Sequence, residues 1–376
     1  MDPIATVTAH PLAYPEPNDR DRVRRVVLAR VETEAGVVGW GECISGSVET
    51  NAAVRAVIDL GLAPVLCGGD PRDVRARWQD MRAHTWWNGH GGIASSAISA
   101  IDTALWDVAG KLAGLPVHRL LGGKLIERAP ACASMIWDPA DLDWTRTEVQ
   151  AALDAGFRAI KCGWGRTHEA SFGLDARRDL AVVAAVRDLV GDEVAFSADV
   201  AAIANWTPAH AARMAQAFEP FRLAWLEDPL DHHDHSGYRR VRAACPGVPL
   251  ATGERVWTHE GYRSLLDSGA IDIVLIDPGR VEGLTGMLIA TEHAAACGVR
   301  FAPHSWSSAL NTAAALHVFA SRPNGAVFEL KLRPSPLQHE LVDKPFEQRD
   351  GWVDIPDRPG LGCEVDEEVV RRYADI

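Results

Sequence analysis

At 376 residues, 47% hydrophobic and 24% charged, the chain is too long for one small domain. It suits a barrel of about 250 residues plus a smaller unit, with the composition of an ordinary globular protein with a large core. A formal net charge of −13 excludes a nucleic-acid groove or an anionic membrane surface as the natural partner, so an anionic substrate needs local cations to hold it.

Met1-Asp2-Pro3 lacks the basic and apolar regions of a signal peptide. Val26–Thr33 and Val37–Glu42 are strand-like runs around the turn Glu34-Ala35-Gly36, which predicts a hairpin. Ala97, Ile98, Ile101, Ala104, Leu105 and Val108 follow helical spacing, with Asp102 and Asp107 between them. Leu121-Gly122-Gly123 closes this block. Residues 1–125 thus form an α+β unit with loops at Tyr14–Asp21 and His84–Gly92.

From Ala131 short apolar runs alternate with amphipathic helices. Strands are predicted at 131–135, 158–162, 194–199, 223–227, 249–252, 272–276, 299–303 and 326–330, with helices such as Arg177–Leu189 and Thr207–Ala217 between them. Eight such repeats over 126–335 predict a (β/α) barrel of the TIM type. An open doubly wound sheet would carry a Gly-rich phosphate turn, and none is visible. The tail 336–376 returns to strand and turn signals, Gly351–Ile355 and Pro359-Gly360-Leu361-Gly362, and is expected to pack on the first unit. No run of 18 uncharged apolar residues predicts a membrane span. Cys43, Cys67, Cys132, Cys162, Cys245, Cys297 and Cys363 show no C-x-x-C pair and read as reduced thiols of a cytoplasmic protein.

Acids close three consecutive strands: Asp199, Glu227 after 28 residues and Glu254 after 27 more. Parallel neighbours lie about 5 Å apart, so three carboxylates at the same strand ends converge, and an all-oxygen set selects a hard ion such as Mg²⁺. Asp277 and His304 close the next two strands, giving a carboxylate–imidazole pair suited to general-base work. Glu329 lies on the eighth strand, and Lys161 on the second places a cation opposite. Plainer roles compete at each position: a helix N-cap for the acids, a buried satisfied His304, a structural ion pair for Lys161, a structural hydrogen bond for Glu329. The cluster Asp231-His232-His233-Asp234-His235 reads as a solvated loop. Trp87 and His90, in a Gly-rich aromatic loop, and Trp306, beside His304, are expected to contact substrate.

Ala97–Asp107, Leu120–Gly123, Leu226-Glu227-Asp228-Pro229, Thr252-Gly253-Glu254 and Pro359–Gly362 run in the order of the enolase superfamily, and the chain resembles its mandelate racemase branch. The resemblance implies an α+β capping domain over a modified barrel, one Mg²⁺ per subunit and abstraction of the proton α to a carboxylate to give an enediolate. It matches Asp199, Glu227 and Glu254 to the metal ligands, His304 and Asp277 to the base dyad, and Glu329 to an acid that hydrogen-bonds the intermediate. Homo-oligomers are common in such a family and one is expected here. Two departures stand out. Glycine occupies position 163, where the branch often has a second lysine, which argues against two-base racemisation. Ala201 stands where relatives carry Asn, and Asn205 is the nearest substitute.

The expected reaction is dehydration of an acid sugar, an aldonate or aldarate, to a 2-keto-3-deoxy acid. Lactone or anhydro-sugar-acid cycloisomerisation uses the same intermediate. A non-catalytic metal-dependent binding protein is the alternative of another class.

Overall fold

The protein is described here by a computed structural model covering residues 2–375. Strand β1 (Ile4–Glu16) runs antiparallel to β2 (Arg22–Thr33), with Ile4 opposite Thr33 and Glu16 opposite Arg22. β3 (Val38–Ile44) completes a three-stranded sheet on the far side of β2. The hairpin of β2 and β3 follows the expected turn, whereas β1 fills a stretch without an assigned element and overruns the start of the Tyr14–Asp21 loop. Helix α1 (Val48–Ala56) leads through a π turn into α2 (Ala63–Leu66), followed by α3 (Val74–Thr85), α4 (Gly92–Ala113) and α5 (Val117–Leu120). α4 buries Ile98, Ile101, Leu105 and Val108 against the sheet and against α3, forming the core of the cap.

The barrel strands are β4 (Arg128–Ile136), β5 (Ala159–Gly163), β6 (Ala195–Asp199), β7 (Leu226–Glu227), β8 (Leu250–Thr252), β9 (Ile273–Ile276), β10 (Arg300–Pro303) and β11 (Phe328–Lys331). They pair in parallel in sequence order, β11 returns to pair with β4, and a bridge from Phe301 to Gly325 joins β10 to the segment entering β11. Each strand is followed by a helix: α6 (Leu142–Asp154), α7 (Ala176–Val190), α8 (Pro208–Phe218), α9 (His235–Ala244), α10 (His259–Asp267), α11 (Gly283–Ala296), α12 (Ala309–Ala320) and the single turn α13 (Pro336–His339). Thr207, Thr258 and Ser308 cap α8, α10 and α12 by accepting from backbone N–H groups in the first turn. On the outer face of the strands, Trp137, Phe172, Phe196 on β6 and Phe218 pack ring on ring. Each such buried side chain contributes about 1.5–3 kcal/mol in apolar transfer. Inside the barrel, Trp225, Ala251, Ile273, Leu275, Ala302 and Ala326 make a separate apolar plug.

The tail touches both units. Gly360 N–H bonds to Leu115, and Ala13 N–H bonds to Tyr373, which fasten it to the cap. A hairpin of β12 (Gln348–Arg349) and β13 (Trp352–Asp354), however, pairs antiparallel with the start of β4, so this part extends the barrel sheet rather than the cap. No described helix is long and apolar enough to cross a membrane.

Candidate active site

The parallel register sets Gly163, Asp199 and Glu227 side by side at the ends of β5, β6 and β7. Glu254 lies two residues beyond β8. The intervening Gly253 has φ 137°, and a Cβ there would collide with the Leu275 carbonyl, so only glycine lets the chain swing Glu254 over the barrel mouth. Asp277 and His304 follow β9 and β10 directly, and Glu329 faces inward from β11.

His304 Nδ1 lies 2.5 Å from Asp277 Oδ2, and its Nε2 is 3.5 Å from Glu254 Oε2. Asp277 is fixed in turn by the Gly279 N–H at 2.7 Å and the Asn311 amide at 3.2 Å. Across the mouth, Lys161 Nζ donates to Glu227 Oε1 at 2.7 Å and pairs with Glu329 Oε1 at 2.9 Å. Glu329 Oε2 accepts the Ser305 N–H at 2.8 Å, while Oε1 is buried with no aligned hydrogen bond. Trp225 Nε1 donates to Glu227 Oε2 at 2.7 Å. The Ala201 N–H orients Asp199 at 2.7 Å, from the position where Asn was expected, and Asn205 is exposed and plays no part. Below these groups only about 10 Å³ of cavity remains, room for about one water, so a substrate must enter from the mouth.

The electrostatics follow from burying many acids together. Burial pushes the Asp199 carboxyl up to about 7 and Glu227 to about 8, against the opposing pull of Lys161. Burial and then Glu254 raise Asp228 to about 7. Burial would lower His304, but Glu254, Asp277 and Glu329 outweigh it and lift the imidazole to about 9. Burial would raise Glu329, yet Lys161 and then His304 hold it near 2. Asp199, Glu227, Asp228 and Glu254 therefore share too little positive charge in Lys161 and Arg255, and the oxygen-only donor set suits a hard divalent cation. Asp199, Glu227 and Glu254 do not each bring an oxygen within 4.8 Å of the others. Both Glu227 oxygens already accept a hydrogen bond, Oε1 from Lys161 and Oε2 from Trp225, and each keeps a second lone pair for an ion.

Other expected contacts fall elsewhere. Trp87 is 79% exposed and stacks edge-on against Trp86, so it does not wall this site. His90 is held by Arg82 through both ring nitrogens, 3.2 and 3.1 Å, at the junction of cap and barrel. Trp306, two residues after His304, has Arg24 at 5.0 Å and Lys331 at 5.5 Å from its ring, with its buried indole N–H unpartnered. His232 and His233 stack on each other in the loop after β7, with His233 and Asp231 in solvent. Sequence reasoning missed Trp225, which lies two residues before Glu227 and on the same strand face. It also missed Lys331, two beyond Glu329, which pairs with Glu16 at 2.5 Å. The alternation of a strand would have flagged both.

An α+β cap over a (β/α) barrel with carboxylates at successive strand ends defines a class of metal-dependent lyases and isomerases. Residues 18–122 match the model for the mandelate racemase / muconate lactonizing enzyme N-terminal domain, and residues 144–369 match the enolase C-terminal domain-like model. The chain is 32% identical over 361 residues to D-galactarolactone cycloisomerase of Agrobacterium fabrum, covering 93% of this chain and 91% of that protein. It is 33% identical over 355 residues to D-galactonate dehydratase of Variovorax paradoxus, covering 92% and 90%. A crystal structure of L-talarate dehydratase from Polaromonas sp. JS666, complexed with Mg and L-glucarate, superimposes with a TM-score of 0.84 at 28% identity, covering 100% and 98%. The chain belongs to the mandelate racemase / muconate lactonizing enzyme family of the enolase superfamily.

Proposed function

We propose that the chain is a Mg²⁺-dependent acid-sugar dehydratase that removes the α-proton and β-hydroxyl of an aldonate or aldarate to give a 2-keto-3-deoxy acid. The observation that carries the reading is the His304–Asp277 pair, whose free Nε2 faces Glu254 across from the Lys161–Glu329 pair. Asp199, Glu227 and Glu254 would hold one Mg²⁺ per subunit. When bound, the ion polarises the substrate carboxylate and so acidifies the neighbouring C–H.

Asp277 accepts from Nδ1–H; with the charge of Glu254 drawn on by an ion, the second ring proton loses its main support, which frees the lone pair on Nε2, the atom that takes the α-proton. Lys161 stabilises the negative charge that develops on the enediolate oxygens. Glu329 is ionised in the free site. An approaching anion that draws Lys161 away from Glu329 Oε1 raises the proton affinity of the carboxyl, which lets it donate a hydrogen bond to the intermediate. His304, now an imidazolium, returns its proton to the β-hydroxyl, which leaves as water. Position 163 supplies no second base: a Cβ on Gly163 would stand 2.6 Å from the Asp199 Cβ, and Lys161, across the mouth, is held between Glu227 and Glu329. A substrate hydroxyl is the proposed partner of the Trp306 N–H, supported by that buried group having none within the chain.

Cycloisomerisation of a sugar lactone or anhydro-sugar acid is the second reading, favoured by the likeness to the Agrobacterium cycloisomerase. Mass spectrometry on a panel of acid sugars and lactones with Mg²⁺ separates them. Loss of one water supports dehydration, and a new isomer of unchanged mass supports cycloisomerisation. Tight binding without any product across the panel supports a non-catalytic binding protein. A cytoplasmic setting and a homo-oligomer belong to the same proposal, the first supported by seven unpaired cysteines.

A further inference from the structure

On the outer wall of the barrel, far in sequence from the strand-end acids, Asp267, His293 and Cys297 come together. Asp267 is the last residue of α10, and His293 and Cys297 lie one turn apart at the end of α11. His293 Nε2 is 2.6 Å from Asp267 Oδ1, and Cys297 Sγ is 3.8 Å from that nitrogen and 3.9 Å from that oxygen. Asp267 and Cys297 are exposed and His293 is half-buried, so the triangle is open to solvent on one side.

The geometry points to a surface zinc-type site. We propose that Asp267, His293 and Cys297 bind one borderline-soft divalent transition metal, Zn²⁺ or a stand-in such as Co²⁺, with water in the fourth position. A tetrahedral ion with metal–sulfur bonds of about 2.3 Å and metal–nitrogen or –oxygen bonds of about 2.0–2.1 Å needs S···N and S···O spans of about 3.6 Å and an N···O span of about 3.3 Å. Two of the three spans are within a few tenths of an ångström. The third is a hydrogen bond that opens as the ion replaces its proton. The His293–Cys297 spacing of four residues puts both donors on one helix face. The carbonyl ends of α10 and α11 both point at this corner and supply a negative field for a cation.

The donor set also separates this site from the barrel mouth. A thiolate with an imidazole selects a softer ion, whereas oxygen donors alone select a hard one. Binding releases the thiol proton to solvent, while the imidazole coordinates neutral through Nε2 with its proton on Nδ1. It clips together the far ends of two neighbouring barrel helices, α10 and α11, which meet through side chains alone at this end.

Co²⁺ titration of the full chain in excess Mg²⁺ tests the assignment, because a thiolate-to-cobalt charge-transfer band cannot arise from an all-oxygen site. The wild type should develop the band to one equivalent. Cys297→Ser should abolish it, and His293→Gln should weaken binding by about 100-fold or more, since outer partners of metal ligands alone are worth about 10–100-fold. Cys67→Ser, at the other exposed cysteine, should leave it intact. Zn²⁺ should raise the melting temperature of the wild type and of Cys67→Ser but not of Cys297→Ser. Absence of the band in the wild type, its survival in Cys297→Ser, or its loss in Cys67→Ser would each overturn the proposal.

Discussion

His304 Nδ1 and Asp277 Oδ2 lie 2.5 Å apart across the ends of two neighbouring strands, although 27 residues separate them along the chain. The bond fixes the ring through Nδ1 and leaves Nε2 as the only nitrogen that can reach a substrate. Replacing His304 by Ala should lower kcat by about 10²- to 10⁴-fold, the usual worth of a general base. Exchange of the substrate α-proton with D₂O should stop as well. Asp277→Asn should also slow turnover, with KM changed less than kcat. Proton exchange at the wild-type rate in His304→Ala would remove the histidine from the mechanism.

Glu227 stands between Lys161 and the proposed ion. Glu227→Gln keeps the shape but loses the charge, so Mg²⁺ affinity measured by calorimetry should fall by at least about 10-fold. Unchanged binding would show that the ion is held elsewhere.

The His304 imidazole, at about 9 against an ordinary 6.5, gives a pH dependence of defined sign. The folded metal-free protein holds this proton more tightly than the unfolded chain. The resulting stabilisation is complete below pH 6.5 and is lost as pH rises from 6.5 through 9. Thermal melts of the metal-free protein should fall across that window, and His304→Gln should flatten the fall. Adding Mg²⁺ draws on the charge of Glu254, so the ring should titrate at lower pH by NMR, a shift that an ion bound elsewhere would not produce.

Gly163 abuts Asp199 so closely that any side chain must displace it. Gly163→Ala should destabilise by about 1–3 kcal/mol, as overpacking does. Gly163→Lys should not create a racemase. Chemical denaturation and chiral analysis of the α-carbon check the two halves, and an epimerised product from Gly163→Lys would contradict the steric argument.

The barrel was legible because its strands are short, buried on both faces and closed by acids. Their edges in the structure lie within three residues of the expected runs, and the largest differences are at β4 and β7. Asp199, Glu227, Glu254, Asp277 and His304 stand out for the same reason: the last residue of an apolar strand is seldom charged without cause. β1 was not legible, since Pro11, Pro15 and scattered threonines and alanines hide its alternation, and its partner β2 defines it only through pairing. Helices α1 and α3 escaped because the apolar stripe that each buries is narrow, Val54 in α1 and Val74, Trp78 and Met81 in α3, and α2 because it is a single turn. Trp87 misled, because an aromatic loop with flanking glycines reads alike whether it covers a pocket or stands in solvent. The partner of Lys161 could not be read from order along the chain, since Glu227 and Glu329 both satisfy it.

Asp102, in the middle of the cap's long helix α4, accepts the N–H and hydroxyl of Thr285 at the start of barrel helix α11, at 2.8 and 2.7 Å. Five residues on, Asp107 holds the Trp40 and Leu361 N–H groups, tying the same helix to its own sheet and to the tail. A roof bolted to the wall through the middle of its longest beam, and again where Arg82 and Ser95 meet Glu282, is not free to hinge as a slab. Traffic to the catalytic chamber must therefore pass by local movements at its rim, while the cap body stays put.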